Sequence, residues 1–170
     1  PDYFIAHWSL QFIIDRQAAV AENGHATPPP SPRIFEEISD TPMISIAANN
    51  GQAWGGGAEL SWACDLRIAS ESATYGQPEV GLGIIPGAGG TTRLARLIGP
   101  TKCLEMILDG RPITASEAHQ LGAINKVVPD SELRQAAIDW ATHIAKWPAW
   151  SLEACKRSLY EGLDLPLNAA

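Results

Sequence analysis

Apolar residues recur along this chain in short runs bounded by glycine, proline and asparagine, and the spacing within those runs predicts strands alternating with helices. Tyr3 to Ala6 reads as a strand and Ile13 to Ala21 as a helix-compatible segment. Ala26-Thr27-Pro28-Pro29-Pro30-Ser31-Pro32 ends that segment, because proline removes a backbone donor and restricts the residue before it. The proline run is a loop or an extended surface excursion, with a proline-rich ligand as the alternative. Arg33 to Ser39 fits a short helix. Met43 to Ala48, with two isoleucines between small residues, fits a buried strand, and Asn49-Asn50-Gly51 turns the chain. A helix follows from near Ala58, then strands at Leu66 to Ala69 and Ala73 to Gly76, and Gln77-Pro78-Glu79 breaks out into a loop. After glycines at 81, 83, 87, 89 and 90, a further helix starts at about Thr91.

Downstream, Pro100 and Gly110 bracket the helix TKCLEMILD, and Thr114-Ala115-Ser116-Glu117 has the spacing of a capping box, with Gly122 closing that helix. Ala123 to Val128 fits a short strand. Asp130 to Lys146 and Ser151 to Gly162 fit two more helices, whose apolar stripes, including Ile138, Ile144, Leu152 and Leu159, are expected to pack on the core or on a neighbouring subunit. Lys156 has a second reading, contact with a phosphate of a ligand.

Composition adds bounds. The 170 residues are 45% apolar with a formal charge of −7 and a pI near 5.0, which suits a globular chain with one main core. No run approaches the roughly 18 apolar residues a membrane helix needs. The acidic balance speaks against broad binding to nucleic-acid phosphates. Arg93, Arg96 and Lys102 form a local basic patch that either meets a small anion or keeps the surface soluble. Cys64, Cys103 and Cys155 show neither metal-knuckle nor redox spacing and read as buried, inert thiols in a reducing compartment, cytoplasmic or an organellar matrix. No metal site is expected. His25, His119 and His143 read as surface or helix-flank residues, leaving His7, in FIAHWSL, for a second reading. The chain opens without methionine and stops inside a helical pattern, so truncation at both ends is expected, and no targeting segment can be judged.

The chemistry concentrates in GGGAELSWACDLRIASESATYGQPEVGLGIIPGAGGTTR. Glu59 and Glu79 lie 20 residues apart in it, each in a glycine-rich, apolar setting where a lone carboxylate is costly. Converging on one pocket, two carboxyl groups can hold a water, one taking its proton and the other supplying a proton to a substrate carbon. The alternative is structural: each caps a helix or pairs with Arg67 or Arg93. Gly55-Gly56-Gly57 at a helix start allows close approach of a ligand, and first-turn amides lack intrahelical acceptors, so the N–H of Gly56 or Gly57 can serve half of an oxyanion hole. The glycines from 81 to 90 form neither a Walker motif nor a dinucleotide fingerprint, which excludes a nucleotidase.

GQAWGGGAELSWACDLRIAS followed by ATYGQPEVGLGIIPGAGGTTRLARLIG resembles the enoyl-CoA hydratase/isomerase (crotonase) family, with little interruption from about Pro42 to Val128. FIAHWSL more weakly resembles the family segment usually written FSAGADL. The resemblance implies an α/β fold of ββα units coiled into a spiral, followed by a helical C-terminal region, with residues 1–110 belonging to the catalytic core and 111–170 to the helical part. It implies trimers, commonly paired into hexamers, and an acyl-CoA thioester substrate, coenzyme A being part of the substrate and no separate cofactor being needed. No nucleic-acid or membrane partner is expected.

Carried over residue by residue, the resemblance gives one oxyanion N–H to Gly56 and the other to Trp8, with Ala6, His7, Gly55, Gly57, Pro78 and Gly87 around the substrate. His7, Trp8 and Ser9 depart from the glycine, small residue and aspartate usual there. Glu59 and Glu79 match the two glutamates that family hydratases use on the substrate water, and keeping both favours hydration of a 2-enoyl-CoA to a 3-hydroxyacyl-CoA. Isomerisation, decarboxylation or a non-catalytic binding role are the alternatives the family offers.

Overall fold

The first five described strands of this chain fall alternately in two sheets, so each coil of backbone there adds a strand to both. The computed structural model describes residues 3–5, 18, 21–22, 24, 32–163 and 165–166; Ala6, His7 and Trp8, most of the expected helix at 13–21 and the prolines at 28–30 lie outside the described residues. β1 (Tyr3–Ile5), β3 (Gln52–Trp54), β5 (Thr74–Gly76) and β6 (Ile113–Thr114) form one sheet in that order, parallel except for the antiparallel β5–β6 pair. β2 (Ile46–Asn49), β4 (Leu66–Ser70) and β7 (Lys126–Val128) form the second sheet, all parallel. After α1 (Pro32–Asp40), the run β2, β3 and α2 (Gly56–Ala63) makes one ββα unit, and β4 and β5 begin the next directly upon it.

Register fixes the coil. Ile46 pairs with Leu66 in one sheet and Gln52 with Thr74 in the other, so the second unit lies on the first nearly residue for residue. Such close stacking needs small side chains between layers, and the sequence supplies Ala53, Ala58, Ala69 and Ala73 around the larger Trp62, Tyr75, Leu94 and Met106. α2 runs through this interior with Gly57, Ala58, Glu59, Ser61, Trp62 and Ala63 all buried, which is why its sequence lacks a polar face.

Beyond it come α3 (Arg93–Ile98), α4 (Pro100–Asp109), α5 (Ala115–Gln120), α6 (Leu133–Ile144) and α7 (Ala149–Gly162). The sheets and core extend past residue 110, since β6 and β7 join them and Ala115, Ala118, Ala123 and Ile124 are buried among the core residues. Thr114 caps α5 as its spacing implies: its hydroxyl accepts from the Glu117 N–H at 3.2 Å while the Glu117 carboxylate accepts from the Thr114 N–H at 2.7 Å.

Several expectations change. The strands β3 and β6 are too short to show a period in sequence. α2 begins at Gly56, two positions before Ala58, because Gly55 takes a φ of 53° and turns the chain directly from β3 into the helix. Asn49 belongs to β2 rather than to the turn after it. Cys103 is buried, but Cys64 is half-buried and Cys155 exposed. Of the apolar stripe on the last helices, Ile144 and Leu152 are half-buried, whereas Ile138 and Leu159 are exposed.

Lys156 is a structural pin and does not reach a ligand phosphate. It is the buried residue of α7, and its ammonium donates to the Asp65 carboxylate at 2.9 Å and to the carbonyls of Met43 at 3.1 Å and Ile38 at 3.4 Å. Asp65 also accepts from the N–H and hydroxyl of Ser45, at 2.7 and 2.8 Å. A buried pair is sensitive to losing one partner, because the other charge is left uncompensated, at about 3–5 kcal/mol. Asp65→Ala leaves the ammonium with carbonyls alone, whereas Lys156→Met leaves Asp65 its two Ser45 donors. Chemical denaturation should therefore show Asp65→Ala as the more damaging change; equal losses would refute this ordering.

Candidate active site

Twenty residues separate Ile46 from its neighbour Leu66 in the next coil, and twenty separate Glu59 from Glu79. The two glutamates thus close successive units, Glu59 on the first turn of α2 and Glu79 opening the 3₁₀ turn Glu79–Leu82 after β5. Both are buried, at 4% and 8% exposure, and close enough for the charge of Glu59 to act on Glu79. Sequence placed them; the coil brings them together.

The two carboxyl groups have different surroundings. One Glu59 oxygen accepts from the backbone N–H groups of Ala88 at 2.7 Å and Gly90 at 2.9 Å. Burial pushes the Glu59 carboxyl above its ordinary value, while these amides and the nearby Arg93 guanidinium oppose the rise. Glu79 has fewer such donors. Burial pushes its carboxyl up to about 7, and the negative charge of Glu59 adds to the rise. Two carboxyl groups held apart in proton affinity are suited to opposite duties, one as base and one as acid.

Arg93 is not free to pair with a glutamate or a ligand. Its guanidinium donates to the Ala88 carbonyl at 3.0 Å and reaches the Ser39 hydroxyl at 3.4 Å, clamping the glycine-rich loop to α1. The basic patch expected at Arg93, Arg96 and Lys102 is dispersed in this way, with Lys102 paired to Glu105 at 2.6 Å. Arg67 is likewise occupied, donating to the carbonyls of Ala123 at 2.7 Å and Ser61 at 3.4 Å as well as Cys64.

The glycines at 89 and 90 serve Glu59 and not a phosphate. A Cβ on Gly90 would lie 2.5 Å from Pro86 Cβ and 2.8 Å from the Gln77 amide, so no side chain fits where its N–H meets the carboxylate. Gly87 is exposed, a Cβ there meeting the Ile85 carbonyl at an ordinary 3.9 Å, and Pro78 is half-buried immediately before Glu79. At the other glycine run, the Gly55 N–H donates to the Gly76 carbonyl at 2.9 Å, and the first intrahelical bond runs from Glu59 to the Gly55 carbonyl. The amides of Gly56, Gly57 and Ala58 thus precede that bond, on the same turn as Glu59. Ile5, the last described residue before Ala6, His7 and Trp8, stands in register with Ala53.

Two further residues belong to this site. Read with its nitrogen toward the carboxylate, the Gln77 amide donates to both Glu79 oxygens at 3.1 Å, and its oxygen accepts from the Trp62 indole N–H at 3.2 Å. Their nearness in sequence carried the signal: Gln77 precedes Glu79 by two positions, and Trp62 follows Glu59 by three on a helix. Among the described residues no group of three His, Cys, Asp or Glu side chains could hold a metal, and no helix is long and apolar enough to cross a membrane.

Two stacked parallel layers with paired carboxyl groups at the coil ends define a crotonase-like fold and site. The whole chain, residues 1–170, matches the family described as enoyl-CoA hydratase/isomerase, and it belongs to that family. It is 42% identical over 138 residues to the short-chain-enoyl-CoA hydratase of Clostridium acetobutylicum, covering 81% of this chain and 53% of that protein. The enoyl-CoA hydratase of Bacillus anthracis superposes with a TM-score of 0.80 at 44% identity, covering 81% and 54% of the two chains. A Thermobifida fusca chain described as a candidate enoyl-CoA hydratase, solved with acetoacetyl-CoA, superposes at 0.78 and 33% identity, covering 81% and 54%. The chain spans about half the length of these relatives.

The raised affinity of Glu79 for its proton has a cost in stability. Between pH 4.5, its ordinary value, and about 7, the unfolded chain has released a proton that the folded chain still holds. Stability therefore falls as pH rises through that window, by on the order of 3 kcal/mol for a shift of this size. Glu79→Gln should be more stable than the parent at pH 8 and no more stable at pH 4. A pH-independent difference in denaturation midpoint would contradict the assignment.

Proposed function

We propose that this chain carries the paired-glutamate site of an enoyl-CoA hydratase, which adds water across the 2,3 double bond of a 2-enoyl-CoA thioester to give a 3-hydroxyacyl-CoA. The observation that supports it most is the unequal pair of buried carboxyl groups, Glu59 held by two amides and Glu79 pushed up to about 7. The similarity to the Clostridium hydratase and to a structure holding acetoacetyl-CoA supports the substrate class.

In this reading the thioester oxygen lies against the Gly56 N–H at the start of α2, where amides and helix dipole favour developing negative charge. The second donor is the N–H of Trp8, with Ala6, His7, Gly55, Gly57, Pro78 and Gly87 around the substrate. Polarising that carbonyl draws electrons from C3. Glu59, kept ionised by Ala88 and Gly90, takes a proton from water as the oxygen bonds C3, and the resulting enolate takes its C2 proton from Glu79. One C–O and one C–H bond form, the C=C π bond is lost, and a proton passing from Glu59 to Glu79 restores both groups. The reaction is redox-neutral, and amide donors supply the polarisation, so neither a metal nor a redox cofactor takes part.

Subunit packing is the second element of the reading. Ile138, Trp150, Leu159 and Leu163 are exposed on or just beyond α6 and α7, apolar surface that a trimer or hexamer would cover.

A positioned acid or base contributes about 10² to 10⁴ in rate. Glu59→Gln and Glu79→Gln should each lower crotonyl-CoA hydration by at least about tenfold, followed as loss of enoyl-thioester absorbance, with folding retained by circular dichroism. Undiminished turnover in either variant would overturn the proposal.

A further inference from the structure

Glu79 has one side-chain neighbour whose chemistry depends on which way it faces. Gln77 can turn its NH2 group toward the carboxylate, favouring the ionised form, or turn its carbonyl oxygen there, accepting from the protonated form. The two faces of one amide therefore act with opposite sign on the same acid. Gln77 is wholly buried, so no solvent competes to decide the matter. The neighbour on its far side does. Trp62 is 4% exposed, and an indole N–H can only donate, so it donates to the Gln77 oxygen at 3.2 Å and leaves the NH2 for both Glu79 oxygens at 3.1 Å. In the opposite orientation two N–H donors would face each other in a buried site.

We propose that Trp62 is a positioning residue for the Glu79 acid: its indole N–H locks the Gln77 amide with the NH2 group facing the Glu79 carboxylate. The indole is itself fixed, stacked on Tyr75 with ring centroids 5.2 Å apart and planes inclined at 29°. Tyr75 belongs to β5, two residues before Gln77, and Trp62 to α2, three after Glu59. The contact therefore couples the two coils that carry the two glutamates. Gly90, whose missing Cβ makes room for the Gln77 amide, closes the arrangement on the loop side. This assignment rests on the reading of Glu79 as the proton donor, but the orientation of the amide does not.

The charged groups around Glu79 are few. Glu59 on α2 faces it and disfavours its ionisation, and Arg93 on α3 acts on Glu59. α4, packed against the 3₁₀ turn, brings the buried thiol of Cys103, whose Sγ donates to the Gly90 carbonyl at 3.4 Å. Its charged Lys102 and Glu105 pair with each other on the surface, and Asp109 lies beside Arg111. No cation among these opposes burial at Glu79; its own backbone N–H does, and the Gln77 amide is the side chain that adds to it.

The test removes the indole N–H while keeping the ring. In the intact protein, Trp62→Phe, and the sulfur isostere of tryptophan introduced at position 62 alone, free Gln77 to rotate and accept from protonated Glu79. Difference infrared spectroscopy against Glu79→Gln should show the Glu79 carboxyl titrating about one unit higher in both variants. The alkaline limb of the pH profile for hydration, where the acid is lost, should move up by the same amount. In a Gln77→Leu background, Trp62→Phe should add nothing further. An unchanged Glu79 titration in the isosteric variant overturns the proposal, as does a shift that persists undiminished without Gln77. If the carboxyl shifts as expected in a protein that never hydrates enoyl-CoA, the amide lock stands and the hydratase reading fails.

Discussion

A carboxyl group buried in a protein loses the water that would stabilise its charge, and at Glu59 a pair of backbone amides works against that loss. The N–H groups of Ala88 and Gly90 converge on one oxygen within 2.9 Å, and much of the neighbouring architecture follows from keeping them there. Gly90 is bare because Pro86 and Gln77 fill the space a Cβ would need. Arg93 clamps the Ala88 carbonyl from behind and ties the loop to Ser39 of α1. Amide donors suit this duty better than a lysine or arginine in direct contact, since they stabilise the charge without neutralising it.

Glu79 shows the converse treatment. It occupies the equivalent place one coil later, but two amide donors do not converge on it, and its proton is held near neutrality by burial and by the charge of its partner. The same residue type is thus given two different settings by what the backbone offers locally. The coil makes this possible, because parallel stacking returns the chain to the same place with a different loop after it.

Much of this was legible from residues. The helix α4 between Pro100 and Gly110, the capping box at Thr114 and the strands β4 and β5 all have local signatures, and the strings GGGAEL and GQPEVGLG pointed to both glutamates. The losses fall where local pattern carries no information. β3 and β6 are held by neighbours from distant sequence, not by their own periodicity. Nothing local distinguishes the buried Lys156 from the exposed Lys146 before it, because its partner Asp65 is 91 positions earlier. The duty of Gly90 toward Glu59 has no local sign either, because a loop that solvates a side chain and a loop that grips a substrate use the same amides.

The pinning of α7 has a further meaning for its mechanics. Lys156 is the helix's buried residue, while Trp150, Leu159 and Tyr160 remain open. The ammonium does not hold the helix alone: the Tyr160 hydroxyl reaches the same Asp65 carboxylate, and the half-buried Leu152 lies one turn before the lysine. One aspartate on the core thus gathers two side chains of the last helix, so its seating is decided by a polar knot more than by greasy contact.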